Sequence, residues 1–180
     1  MSKAVLISIR PKWVEKIANG EKTIEVRKTK PKLKTPFKCY IYCTLPKYPH
    51  EDFIATDYPM PQFYGGGKVV GEFTCDRIYE IRKRGIPENF DYCYLSLNEW
   101  GNDDIETEIR AISASCVSKE ELNAYGAKAP LLYGWHISDL RIYDAPRELS
   151  EFTGLRDTRF GAAPYDIKRA PQSWCYVEEG

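Results

Sequence analysis

The sequence lacks a long apolar run, since no stretch reaches the roughly 18–20 residues that a membrane-spanning helix needs. The apolar opening turns charged at Arg10, too early for the core of a signal peptide. An excess of one charge is also absent, because 26 basic residues balance 26 acidic ones. We therefore expect a cytoplasmic protein with no membrane partner and no global field that attracts nucleic acid.

A Cys-x-x-Cys motif is also missing among the six cysteines. Without an export signal these cysteines should stay reduced, and Cys39 and Cys43 are spaced to share one face of a strand. We interpret them as core thiols, and we expect neither a metal nor a cofactor. A zinc site with His50 or His136 is the alternative, and the ligand spacing argues against it.

The composition is that of an ordinary globular protein, with 43% hydrophobic and 29% charged residues. Collagen, coiled coil and intrinsic disorder are thereby excluded. A chain of 180 residues has the size of one domain, so we expect a single domain over residues 1–180.

The periodicity of the sequence predicts more strands than helices. Pro11 and Gly20 mark the two ends of a first short helix, and Ser118 with Glu121 forms a capping box before a second helix closed by Gly126. Helical spacing also runs from Asn102 to Ser113. Strands are predicted at Ala4–Ile9, Thr23–Arg27, Phe37–Thr44, Lys68–Cys75, Tyr133–Tyr143 and Ser173–Val177, the fifth ended by Asp144–Pro146 and followed by a turn and an irregular stretch. This pattern predicts an α+β, mostly β fold: a small, mostly antiparallel barrel with short flanking helices.

Residues 45–67 form a stretch rich in proline, tyrosine and glycine that is longer than most structureless connections. Such loops are often functional, and we expect this one to cover the mouth of a binding site. Its Gly65-Gly66-Gly67 triplet is not a phosphate loop, because no Lys-Ser/Thr ending and no helix follow it. Gly71 in the next strand indicates a bend.

The chemistry of the sequence is concentrated between Gly20 and Arg27. Lys22 leads into a strand whose alternation places Thr23, Glu25 and Arg27 on one face. Arg27 can bind a phosphate or a base edge bidentately, and Glu25 can accept from an exocyclic amino group. We predict that these four residues contact a nucleotide, although a solvated ladder of salt bridges on an exposed strand is the alternative.

The first fifth of the chain is basic and the remainder is acidic. We predict phosphate contacts from Lys28, Lys30 and Lys38, while a solvated lysine-rich loop is the alternative. Tyr40 and Tyr42 alternate with Lys38 on a strand face, as aromatic and basic residues do where bases stack. Ordinary sheet packing is the alternative for both tyrosines.

Other aromatic residues are predicted to be structural. Trp13 shares a helical face with Val14 and Ile17, so we expect it in the core, together with Trp135 and Trp174. His136 is predicted to be a structural hydrogen-bonding group.

The pattern G-x-K-x-x-E-x-R at Gly20, Lys22, Glu25 and Arg27 resembles the signature of the ASCH domain, a family with a PUA-like β-barrel fold. The resemblance extends over Gly67–Phe73, Tyr133–Leu140 and Arg169–Val177, and it is to a branch common in bacteria and their prophages. It implies a polar cleft at one end of the barrel that faces RNA or a nucleotide-like small molecule, and a regulatory or RNA-metabolism role. A protein partner is a further expectation.

The same resemblance offers hydrolase activity as the alternative. One branch removes the acetyl group of N4-acetylcytidine with the motif lysine, a threonine and a distant glutamate, and another branch cleaves RNA. Lys22 matches the lysine, but Glu25 stands at the threonine position and no acid near Ser115 or Cys116 matches the glutamate. Catalysis would then need Glu25 as general base and Lys22 as the group that stabilises an oxyanion.

Overall fold

A computed structural model describes residues 2–45, 53–55, 62–85, 92–97 and 112–180. In these ranges, helix α1 covers Pro11–Ala18, helix α2 covers Lys119–Gly126, and a 3-10 turn covers Leu149–Glu151. The strands are β1 (Lys3–Ile9), β2 (Ile24–Arg27), β3 (Phe37–Cys43), β4 (Phe53–Ala55), β5 (Gln62–Tyr64), β6 (Lys68–Cys75), β7 (Ile78–Gly85), β8 (Tyr92–Leu97), β9 (Leu131–His136), β10 (Ser138–Arg147), β11 (Thr153–Thr158), β12 (Gly161–Asp166) and β13 (Trp174–Glu178).

The strands form two larger sheets and one hairpin. The first sheet has the order β10-β6-β3-β1-β13-β11-β12, in which β1 and β3 are parallel and the other neighbours are antiparallel. The second sheet has the antiparallel order β2-β9-β7-β8, and β4 pairs with β5. The predicted α+β, mostly β fold with short helices is confirmed. None of the helices in the described ranges is long and apolar enough to cross a membrane.

The central strands β1 and β3 are buried on both faces, which follows from their place in the middle of the large sheet. On one face, Val5, Ile7 and Ile9 pack with alternate residues of β3 and with Val14 and Ile17 of α1. On the other face, the intervening residues form a second cluster, composed of Ala4, Leu6, Tyr40, Tyr42, Val69, Phe152, Ile167 and Val177. Period-2 alternation therefore supplies two apolar layers, as expected for strands covered on both sides.

The cysteines in the described ranges are free thiols, and Cys39, Cys43 and Cys75 lie in the core as predicted. Burial raises the pKa of the Cys39 thiol well above its usual value and that of Cys75 to about 12. These groups are therefore protonated at neutral pH. The prediction for Cys93 is not tested, because its side chain is not among those that the structure describes.

Short-range signals are confirmed where the structure describes them. Pro11 begins α1, and Gly20 has a φ of 73° just beyond the end of that helix. The capping box is formed, because Glu121 N donates to Ser118 Oγ and Ser118 N donates to Glu121 Oε2, each at 3.1 Å. The second helix includes Gly126, and the positive φ falls on Ala127 instead.

Long-range features correct three expectations. The strand predicted over 133–143 is two strands, since β9 and β10 belong to different sheets and meet at Ile137. β10 then runs through Pro146 to Arg147, and the stretch predicted to be irregular contains the β11–β12 hairpin. The stretch 45–67 contains the β4–β5 hairpin. The predicted role of this stretch as a cover of the site concerns residues that lie mostly outside the described ranges. The helix predicted over 102–113 also lies mostly outside them, and its described residues, 112 and 113, are helical.

Candidate functional site

The motif residues sit at the edge of the four-stranded sheet, where β2 pairs with β9. Backbone hydrogen bonds fix the entry to β2 on both sides: Thr23 N donates to Ala114 O at 3.0 Å, and Ile137 N donates to Thr23 O at 2.8 Å. The chain turns into this strand at Gly20, and Lys22 N donates to Lys16 O of α1 at 3.0 Å. The motif is therefore held against α1, against residues 114–116 and against the point where the chain changes sheets.

Three charged side chains of the motif meet in one buried cluster. The Glu25 carboxylate lies 2.7 Å from Arg27 Nη1 through Oε1 and 3.3 Å from Lys22 Nζ through Oε2. Lys22 and Glu25 are only 1% and 3% exposed, and Arg27 is mostly buried. The alternative of a solvated salt-bridge ladder is wrong for this reason, because the charges are withdrawn from water.

The cluster is tied to distant parts of the chain through backbone carbonyls. Lys22 Nζ donates to Ser115 O at 2.6 Å and lies 5.0 Å from the centre of the Trp13 ring. Arg27 Nη2 donates to Ser8 O at 2.5 Å. Two buried atoms of the cluster, Glu25 Oε2 and Arg27 Nε, have no hydrogen-bond partner within the described part of the chain.

The cluster lies in the lining of a cleft of about 730 Å³. This volume is within the roughly 300–1,000 Å³ of small-molecule sites. The lining comes from the ends of β1 and β3, from α1, from β2 and the residues after it, from α2 and from the segment before β13. The residues that line the cleft are Ser8, Arg10, Trp13, Lys22, Glu25, Val26, Arg27, Lys28, Thr29, Thr44, Val117, Glu121, Ala124, Tyr125, Gln172 and Ser173.

The described lining carries four basic side chains, Arg10, Lys22, Arg27 and Lys28, against the two carboxylates of Glu25 and Glu121. Two aromatic rings, of Trp13 and Tyr125, add flat apolar surface. Net positive charge favours an anionic guest, and aromatic rings beside cations suit a planar base. In the described residues, the cleft included, no group of three or more His, Cys, Asp or Glu side chains is placed to hold a metal ion.

The structure brings some predicted site residues together and separates others. Lys22, Glu25, Arg27 and Lys28 line the cleft, whereas Thr23 does not. Lys30 Nζ instead lies 3.6 Å from Glu80, and Lys38 Nζ lies 3.8 Å from Glu72. Tyr40 and Tyr42 pack in the second core cluster, which is the alternative that the sequence had left open for them.

Sequence reasoning missed the residues that the other elements contribute. Trp13 was assigned to the core, and it does pack on the first core cluster, but its half-buried ring also lines the cleft. Glu121 and Tyr125 lie four residues apart and so share the face of α2 that lines the cleft. This spacing was visible in the sequence, but the capping box indicated only where the helix begins. Gln172 and Ser173 belong to the segment Arg169–Val177, whose resemblance to the family assigned no function to either residue.

No family model matches the sequence, and no curated protein is significantly similar to it. Among solved structures, the ASCH protein of Zymomonas mobilis superposes with a TM-score of 0.58 at 16% identity, over 98% of this chain and 88% of that one. A serine-to-alanine variant of that protein gives a TM-score of 0.57, also at 16% identity, with 98% and 89% covered. The chain has the ASCH fold. The ASCH fold was expected from the G-x-K-x-x-E-x-R pattern, and the confirmation concerns the fold alone.

Proposed function

We propose that this ASCH-fold chain binds RNA or a nucleotide in the cleft and acts in the cytoplasm as a regulatory or RNA-metabolism module. The observation that carries the proposal is the buried cluster of Lys22, Glu25 and Arg27 in a cleft with excess positive charge. Withdrawing three charges from water costs free energy that their mutual attraction only partly offsets. Charged side chains are rarely buried this deeply unless they are paired, and these pairs border an open cleft.

The chemistry of the lining favours a nucleotide over other anions. Lys28 Nζ lies 5.1 Å from the Tyr125 ring centre, and Lys22 Nζ lies 5.0 Å from that of Trp13. Each ring thus stands beside a cation, and the exposed Lys28 amine next to Tyr125 suits a base stacked on the ring with a phosphate held by the amine. Glu25 and Arg27 add an acceptor and a donor fork for a base edge.

Hydrolysis of N4-acetylcytidine or RNA receives less support. Thr23, which would have to replace the missing threonine, does not line the cleft, and the Lys22 amine is engaged by Ser115 O and Glu25. The Glu25 carboxylate is held between Lys22 and Arg27. Hydrolase activity, the prophage branch and a protein partner stay predictions, and turnover of N4-acetylcytidine above that of a Lys22→Ala control would favour the hydrolase.

The binding proposal is tested by fluorescence anisotropy with a labelled single-stranded 12-nucleotide RNA of mixed sequence. We expect binding that weakens with salt, because phosphate contacts release counterions. Lys28→Ala should weaken it several-fold and reduce the slope of log affinity against log salt by about 1. Lys28 is exposed, so this substitution leaves the core intact.

Lys32→Ala is the matched control, because Lys32 is also exposed but does not line the cleft. It should leave affinity within about two-fold of the wild type. Equal losses from Lys28→Ala and Lys32→Ala, or no binding at low salt, would show that the cleft is not the RNA site.

A further inference from the structure

An ion pair joins the two helices at the edge of the cleft. Lys12 Nζ of α1 lies 2.9 Å from Glu121 Oε1 of α2, and the same amine lies 4.3 Å from the centre of the Trp13 ring. Both side chains of the pair are exposed, so the contact is open to solvent and to a ligand. The ion pair places the Glu121 carboxylate beside basic side chains at the edge of the cleft.

The position of the Glu121 carboxylate is set by its own helix. Oε2 accepts from Ser118 N in the capping box, and Oε1 is left to face Lys12. The hydrogen bond from Lys12 lowers the pKa of Glu121, and Lys22 contributes in the same direction. The carboxylate is therefore ionised at neutral pH and occupies the cationic edge as a fixed anion.

A second cation reaches the same face of α2. Tyr125 lies one turn after Glu121, and Lys28 Nζ is placed over its ring. Arg10 follows at the N-terminal end of α1 and also lines the cleft. Lys12 contacts the Glu121 carboxylate directly, and Arg10 and Lys28 add positive charge to the cleft beside the place that this carboxylate fills.

We infer that this place is a phosphate subsite of the cleft, and that the Glu121 carboxylate occupies it until a phosphate of the ligand displaces it. The inference rests on the proposed function. A phosphate carries more negative charge and more acceptor oxygens than a carboxylate, so it competes for Lys12. Glu121 then acts as an internal competitor that lowers affinity for RNA and repels ligands that cannot displace it.

The test compares Glu121→Gln with Glu120→Gln, using the same labelled RNA. Glutamine still completes the capping box, so α2 keeps its cap while the competing charge is removed. Glu121→Gln should bind about three- to ten-fold more tightly than the wild type. Glu120 is an exposed neighbour that does not line the cleft, and its substitution should change affinity by less than about two-fold.

A double-mutant cycle with Lys12→Ala shows whether Glu121 acts through Lys12. Lys12→Ala alone should weaken binding, and Glu121→Gln should tighten binding less in its presence than in the wild type. Unchanged affinity in Glu121→Gln, or equal tightening in Glu120→Gln, overturns the inference while Lys28-dependent binding keeps the proposed function. Absence of RNA binding by the wild type and all variants overturns both.

Discussion

Lys22 is the residue whose role the structure changes most. The sequence suggested a ligand contact, yet its amine donates to Ser115 O, lies 3.3 Å from Glu25 Oε2 and stands over the Trp13 ring. The amine is thus engaged within the protein, and the Lys22 side chain is only 1% exposed. Lys22 therefore holds the Glu25 carboxylate and residues 114–116 in place, while Arg27 and Lys28 are better placed to meet a ligand.

The buried cluster predicts an order of stability among substitutions. Glu25→Gln leaves Lys22 and Arg27 as two buried cations without a carboxylate, and it should lower the free energy of unfolding by about 3–5 kcal/mol. Lys22→Met keeps the Glu25–Arg27 pair and should cost less, about 1–3 kcal/mol, mainly because Ser115 O loses its donor. Urea denaturation at neutral pH measures both values.

Glu120→Gln is the control, because it makes the same chemical change at an exposed position and should stay within about 0.5 kcal/mol of the wild type. If Lys22→Met lowered the free energy of unfolding more than Glu25→Gln, the Glu25 carboxylate would not be the group that stabilises the two buried cations.

At the scale of elements, the sequence is most informative where a structure depends on neighbouring residues. The α1 boundaries and the Ser118–Glu121 box follow from local backbone chemistry, and both are confirmed. The change of sheet at Ile137 depends on which strands pair with β9 and β10. Those partners are distant in sequence, so the residues within 133–143 did not predict the change. For Tyr40 and Tyr42 the alternation was right, but their burial comes from Phe152, Ile167 and Val177, which are far away in sequence.

Gly71 connects a sequence signal to a sheet irregularity. It pairs with Ile41 of β3, while the next pair is Tyr42 with Val69, so Val70 is the extra residue of a bulge. On the other side, a Cβ at Gly71 would lie 2.5 Å from Arg141 O of β10. A backbone atom cannot move aside as a flexible side chain can, so glycine is required here.

Gly71→Ala should therefore lower the free energy of unfolding by about 1–3 kcal/mol, because β10 must shift away from β6. Urea denaturation measures the loss, and Gly180→Ala is the control, since a Cβ there would be 3.9 Å from its nearest neighbour. Equal stability of the two variants would mean that β10 accommodates the methyl group without cost.

At the scale of the whole molecule, the cleft is a product of several segments that are distant in sequence. The motif Lys22–Arg27 could be predicted because its residues are close together in sequence, in β2 and just before it. Trp13, Glu121 and Ser173 could not, since they reach the cleft from α1, α2 and the segment before β13. Arg27 Nη2, bonded to Ser8 O, joins the four-stranded sheet to the seven-stranded one at this site.

Because the cleft lies between the two sheets, a bound ligand should stabilise the fold as a unit. At an RNA concentration of about 100 times the dissociation constant, mass action adds about 2.7 kcal/mol to the free energy of unfolding. For Lys28→Ala, if its affinity is about ten-fold lower, the same RNA concentration should add only about 1.4 kcal/mol. Urea denaturation followed by tryptophan fluorescence, with and without the 12-nucleotide RNA, measures both gains. An equal gain in the two proteins would place the RNA outside the cleft, because stabilisation by a ligand follows its affinity for the native state.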